Sequence, residues 1–294
     1  MEIRLENVSY TYNTQQNNTD KNALNHISLN INQGEYIAVI GKTGSGKSTL
    51  LHILNGLIKP SEGTCYMDGK NIHEKGFPIQ KMRQKVALCF QYPEYQLFEE
   101  TVLKDICFGP ENLGLSKKEA EEKAREAMKL TGLTADMENL FPFSLSGGQK
   151  RRVALAGILA MEPDCLVLDE PVAGLDEPGR KQLFDILEKM NQRGVTVILV
   201  SHNMEDVAAY ARRVLVMHEG ELLMDNTPEN VFSDEKIMQK TGLKRPVAVQ
   251  FFYNLTGDGE LPDQGTMTSP KIPLTLDALA DWILERNRST GGEK

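Results

Sequence analysis

The nine residues Gly41-Lys42-Thr43-Gly44-Ser45-Gly46-Lys47-Ser48-Thr49 constrain this chain more than any other stretch. They fit G-x-x-x-x-G-K-[ST], a loop whose backbone N–H groups, with the N-terminus of the helix that follows, cradle phosphate. The short apolar run Tyr36-Ile37-Ala38-Val39-Ile40 reads as the buried strand that feeds such a loop, and residues 48–57 have the apolar spacing of the helix that leaves it. In this frame Lys47 reaches the β- and γ-phosphates and Ser48 holds Mg²⁺. Kinases, GTPases and many ATPases share the loop, so alone it specifies only a nucleoside-triphosphate binder.

Strand and helix patterns alternate along the rest of the chain, as in an α/β domain. Residues 3–12 alternate apolar and polar, and the polar stretch 13–22 reads as a loop between two strands. Thr64-Cys65-Tyr66-Met67-Asp68-Gly69 reads as a strand closing on a turn. Ser116 with Glu119 makes a capping-box pattern that opens a charged helix through Leu130. A second helix is expected over 147–161, and together the two suggest a mostly helical subdomain. Cys165-Leu166-Val167-Leu168-Asp169 and Val195-Thr196-Val197-Ile198-Leu199-Val200 read as further buried strands, each ending at a polar candidate. Open α/β sheets place their ligands at such strand ends.

Composition narrows the classes. A chain of 294 residues is long enough for one to two domains. No run approaches the roughly 18 apolar residues of a membrane span, and the polar start Met1-Glu2-Ile3-Arg4-Leu5-Glu6 lacks a signal-peptide pattern, so a cytosolic protein is expected. A net charge of −8 argues against broad binding to nucleic acid or anionic lipid. Cys65, Cys89, Cys107 and Cys165 show no C-x-x-C spacing and are expected to be reduced packing residues.

A second motif, Leu145-Ser146-Gly147-Gly148-Gln149, resembles the signature of ATP-binding cassette (ABC) proteins. The resemblance covers residues 1–228 and implies a P-loop α/β fold: a RecA-like core, an antiparallel β subdomain, a helical signature subdomain at about 92–161, and here a C-terminal extension over 229–294. It implies that the signature caps the γ-phosphate of ATP held by the opposite subunit, which makes the chain half of an ATP-driven clamp. It assigns Asp169 to Mg²⁺, Glu170 to polarising the attacking water, His202 to the γ-phosphate as the switch histidine, and Gln91 to sensing Mg²⁺ and water. Gly174-Leu175-Asp176 resembles the loop that contacts the partner's site. Tyr12 stands where the family stacks an aromatic ring on adenine, with Tyr10 a nearby competitor.

A finer match lies at Phe90-Gln91-Tyr92-Pro93-Glu94-Tyr95-Gln96-Leu97-Phe98-Glu99-Glu100-Thr101-Val102, followed by Phe108-Gly109-Pro110. This wording is similar to the ATPase subunits of energy-coupling factor (ECF) transporters, and most like the second of their two paralogous ATPases. The resemblance implies a peripheral subunit at the cytoplasmic face of a bacterial membrane, paired with a paralogue or with itself. It implies that the pair drives a transmembrane T subunit and exchangeable S subunits that bind vitamins or metal ions. Leu97 and Phe98 are then expected to anchor the T-subunit contact. Leu276, Leu279, Ala280, Ile283 and Leu284 recur at helical spacing behind a possible cap, Thr275, with Pro262, Gly265, Pro270 and Pro273 breaking the stretch before it. That helix either packs on its own domain or joins the dimer contact. The ATPase of an ordinary ABC importer is the nearest alternative. Non-transport ABC proteins are disfavoured by the single phosphate loop, the single signature and the lack of sustained heptads.

Overall fold

Continuous apolar strands and alternating strands sort into two different sheets. The computed structural model describes residues 1–12, 21–256 and 272–290. In chain order its elements are β1 (Ile3–Tyr12), β2 (Lys21–Ile31), β3 (Tyr36–Ile40), α1 (Lys47–Leu54), β4 (Glu62–Met67), β5 (Lys70–Asn71), α2 (Ile79–Lys85), β6 (Val86–Cys89), α3 (Val102–Asn112), α4 (Lys117–Leu130) and α5 (Gly147–Leu159). They continue with β7 (Cys165–Asp169), α6 (Glu177–Gln192), β8 (Thr196–Val200), α7 (Met204–Tyr210), β9 (Arg213–His218), β10 (Glu221–Asn226), α8 (Pro228–Ser233), α9 (Glu235–Thr241), α10 (Val247–Thr256) and α11 (Leu276–Thr290).

The apolar strands form a six-stranded sheet in the order β10-β9-β3-β8-β7-β6, parallel except for the β9–β10 edge hairpin. Every residue of β3 and β8 is buried, as expected of strands covered on both faces. The alternating strands form the antiparallel sheet β2-β1-β4-β5. The alternation in β1 is not strict: Ile3, Leu5 and Val8 are its fully buried residues, because the register shifts between Leu5 and Val8 where Asn7 takes φ 52°. The extra residue keeps Val8 on the core face beyond the bulge.

Helix α4 opens on the capping box of Ser116 and Glu119 and buries Ala120, Ala124, Ala127 and Met128 against α3 and α5. Helix α1 stops at Leu54 rather than running to Leu57, because Asn55 ends it by donating its side-chain amide to the Val86 carbonyl and Gly56 turns left-handed at φ 66°. Helix α5 ends two residues short of Met161, ahead of a left-handed turn at Glu162. All four cysteines are free and buried, and burial pushes the Cys65 and Cys89 thiols up to about 12.

Beyond β10 the chain returns to the main sheet. Val231 and Phe232 of α8 and Ala248, Val249 and Phe252 of α10 share one core with Ala38 and Ile40 of β3 and Val214 and Val216 of β9. Thr275 caps α11, accepting the Ala278 N–H at 3.3 Å. Pro262, Gly265 and Pro270 lie outside the described residues, as do residues 13–20 of the polar stretch expected as a loop, while Lys21 and Asn22 belong to β2. No helix among the described residues is long and apolar enough to cross a membrane.

Candidate active site at the strand ends

Strand β3 delivers the chain into the glycine loop. Gly46 caps α1 at φ 102°, and a Cβ there would collide with the Ala23 carbonyl, so only glycine fits. The loop is tightened by the Ser45 N–H donating to Lys42 O at 3.1 Å. Thr43, Gly44 and Ser48 remain exposed on it, whereas Gly41 and Thr49 are buried. Lys47 is 6% exposed and donates to the carbonyls of Gly41 at 2.7 Å and Lys42 at 3.0 Å, which holds its ammonium over the loop. Burial pulls its pKa down, opposed by the nearby carboxylates of Glu170 and Asp169. A phosphate would relieve the same desolvation by pairing with the ammonium.

Asp169 ends β7 and Glu170 follows it at once. Asp169 is still in register with Val200 of β8, and the Glu170 N–H donates to the Val200 carbonyl at 3.1 Å. Glu170 takes φ 48°, a left-handed conformation that costs a non-glycine residue about 1–3 kcal/mol. Nε2 of His202, two residues past β8, lies 2.8 Å from Oε1 of Glu170, and Nε2 of Gln91 donates to Oε2 at 3.5 Å. Two groups, from the ends of β6 and β8, thus converge on the one carboxylate at the end of β7. Ser201 and Asn203 shape the turn around His202: the Asn203 N–H donates to Ser201 Oγ at 3.0 Å, and the Asn203 side chain caps α7.

Hard oxygen donors are at hand for a magnesium ion bound with phosphate: the Ser48 hydroxyl, the Asp169 carboxylate, and the Ser45 hydroxyl, which is buried and without a partner among the described residues. Tyr12 ends β1 with its Oη 3.3 Å from Thr49 Oγ1, and its ring, 42% exposed, meets Tyr10 edge-on at 4.8 Å. Tyr10 instead packs against the core, so Tyr12 is the ring with a face to offer.

The signature lies apart from these groups, at the N-terminus of α5. Ser146 Oγ accepts the Gln149 N–H at 3.3 Å while Gln149 Oε1 accepts the Ser146 N–H at 2.9 Å, a capping box that leaves Ser146, Gly147 and Gly148 exposed. Asp176 likewise caps α6 through the Gly179 N–H at 3.0 Å. One residue was missed in the sequence. Arg151 is 7% exposed and donates to Gln91 O at 2.6 Å and to Ala173 O at 2.7 Å, with Glu94 at 3.5 Å. In Lys150-Arg151-Arg152 it reads as one of a solvated basic run; the available signal was helical spacing to the buried Leu155 and Leu159.

Leu97, expected as half of a docking pair, is 5% exposed and belongs to the core of the helical region. Phe98 and Tyr95 are exposed instead, and Phe98 stacks edge-on with Phe108 at 4.7 Å. Phe98 and Phe108 border a groove of about 690 Å³ that runs between α3 and α5 to Arg83 of α2.

Residues 24–173 match the family model described as ABC transporter. The chain belongs to that family. The cassette is 44% identical over 291 residues to an "Energy-coupling factor transporter ATP-binding protein EcfA2" from Caldanaerobacter subterraneus subsp. tengcongensis, covering 99% of each chain. Among solved structures it is similar to cbiO1 from Clostridium perfringens, part of the ABC transporter complex cbiONQ, at 35% identity and a TM-score of 0.70 over 86% of this chain and 98% of that one. It is also similar to the ATP-binding cassette MJ0796 in a dimeric post-hydrolysis state with ADP and Pi, at 30% identity and a TM-score of 0.68 over 77% and 98%.

Proposed function

We propose that this chain is the MgATP-hydrolysing subunit of an energy-coupling factor importer, working at the cytoplasmic face of a bacterial membrane. The observation that carries the chemistry is the convergence of His202 and Gln91 on Glu170, beside the Lys47 ammonium. In this reading Lys47 and the loop amides hold the phosphates, with Tyr12 against the base. Ser48, Asp169 and Gln91 provide the oxygen donors for Mg²⁺, which when bound neutralises phosphate charge. Glu170 takes the proton of the attacking water, and His202 steadies the γ-phosphate.

Two exposed features support the partner reading. Ser146, Gly147, Gly148 and Gln149 form a phosphate-competent helix start away from the chain's own loop, which suits ATP held by a second cassette, a paralogue or another copy. The groove edged by Gln96 and Phe98, a few residues along the chain from Gln91, suits a cytoplasmic helix of a T subunit, through which substrate-binding S subunits would be energised. We also read 229–294 as a dimer contact, because Val247, Phe251 and Leu255 leave an apolar stripe exposed along α10.

Glu170→Gln keeps the shape of the side chain and removes the base. ATP binding is expected to persist while turnover falls about 10²- to 10⁴-fold, with an ATP-bound dimer accumulating on size-exclusion chromatography. Turnover near that of the parent chain would overturn the assignment of Glu170.

A further inference from the structure

The helix that follows His202 is gripped by two other parts of the molecule. Helix α7 is tied to α6 by Arg180, whose Nε donates to Oδ1 of Asp206 at 2.8 Å, with Asp206 only 2% exposed. It is tied to the C-terminal helices by Glu205, whose Oε1 accepts the backbone N–H of Val247, the first residue of α10, at 2.7 Å across 42 positions of sequence. A carboxylate on that amide is a charge-assisted bond at the positive end of a helix. Apolar packing continues the link, since Met204, Val207 and Ala208 of α7 share a core with Ala248, Val249 and Phe252 of α10. Phe252 in turn meets the ring of Trp282 edge-on at 5.0 Å, and Trp282 is the only tryptophan in the chain.

Glu205 stands three residues from His202, with the Ser201–Asn203 turn and the first turn of α7 between them. A shift of His202 that moves the first turn of α7 with it therefore either carries Val247 and α10 along or breaks the Glu205 bond. We propose that Glu205 is a positioning residue for ATP hydrolysis: through it the C-terminal helices hold α7 and set where His202 presents its imidazole. The proposal rests on His202 acting at the γ-phosphate. It makes the C-terminal region part of the catalytic geometry, in addition to any contact that region makes with a partner.

The test uses the full chain. Glu205→Ala is expected to lower kcat about 2- to 30-fold while KM for ATP moves by less than about twofold. Glu205→Gln keeps an acceptor oxygen and is expected to restore most of the turnover. Val247→Pro removes the donated N–H at a first-turn position that tolerates proline, and is expected to reproduce Glu205→Ala. Trp282 emission is expected to shift with MgATP and not with MgADP, and the shift is expected to vanish in Glu205→Ala and Val247→Pro. Parental kcat in either variant, or an ATP-specific Trp282 shift that survives Glu205→Ala, overturns the proposal. So does a parent chain that hydrolyses ATP with no Trp282 shift. A parent chain that neither binds nor hydrolyses ATP overturns the ATPase reading itself, so the two failures are told apart.

Discussion

Nη2 of Arg151 donates to the backbone carbonyl of Gln91 at 2.6 Å, and this bond latches the signature helix to the segment that carries a site glutamine. The same guanidinium holds the carbonyl of Ala173, so one buried side chain spans the segment after β6, the turn after β7 and α5. Positions assigned to the chain's own nucleotide and to a partner's nucleotide are thereby mechanically joined.

Arg151→Ala strips two carbonyls and the Glu94 carboxylate of their donor, and is expected to cost about 3 kcal/mol of stability. Arg151→Lys is expected to recover only part of that, because an ammonium cannot reproduce the two-pronged fork. Urea denaturation midpoints measure both. A loss below about 1 kcal/mol in Arg151→Ala would show that the latch contributes little.

Gly46→Ala and Gly44→Ala are expected to separate space from conformation. Both positions have positive φ, but a Cβ at Gly46 meets the Ala23 carbonyl, whereas at Gly44 nothing lies within 4 Å. Gly44→Ala should cost only the backbone term, about 1 kcal/mol, and leave nucleotide binding measurable. Gly46→Ala should weaken ATP binding by more than the tenfold that about 1.4 kcal/mol represents. Isothermal titration calorimetry decides, and equal affinities in the two variants would refute the steric account.

Leu97→Ala and Phe98→Ala should part company. Leu97 lies in the core, so its truncation is expected to cost about 2–5 kcal/mol of stability. Phe98 is exposed and loses chiefly its ring contact with Phe108, about 0.5–1.5 kcal/mol. Its substitution is expected instead to reduce recovery of the transmembrane subunit in co-purification. Undiminished recovery would move that contact away from the groove.

If the exposed start of α5 serves a second cassette, specific ATPase activity should rise with protein concentration or appear on addition of a paralogue. Ser146→Ala should depress activity of the pair beyond the roughly 1 kcal/mol of helix stability lost with the cap. Full, concentration-independent turnover by a monomer would exclude the shared site.

The amino-acid sequence alone determined those features whose physics is confined to a few neighbouring residues. The phosphate loop needs glycine at Gly46 and a lysine next to it; the capping boxes of Ser116 with Glu119 and Ser146 with Gln149 close within three positions. Three buried strands announce themselves by continuous apolar runs, and with them the parallel sheet whose strand ends carry Asp169 and His202. Tertiary structure decided what depends on distant partners. Whether Tyr10 or Tyr12 offers a free ring turned on where β1 meets α1, and whether Leu97 docks or packs turned on how α3 and α5 close over it. Arg151 found Gln91 across 60 positions, and Glu205 found Val247 across 42. A charged side chain reads as a solvated one in sequence, because its burial is set by the carbonyl or amide that folding brings to it, and no local pattern encodes that meeting.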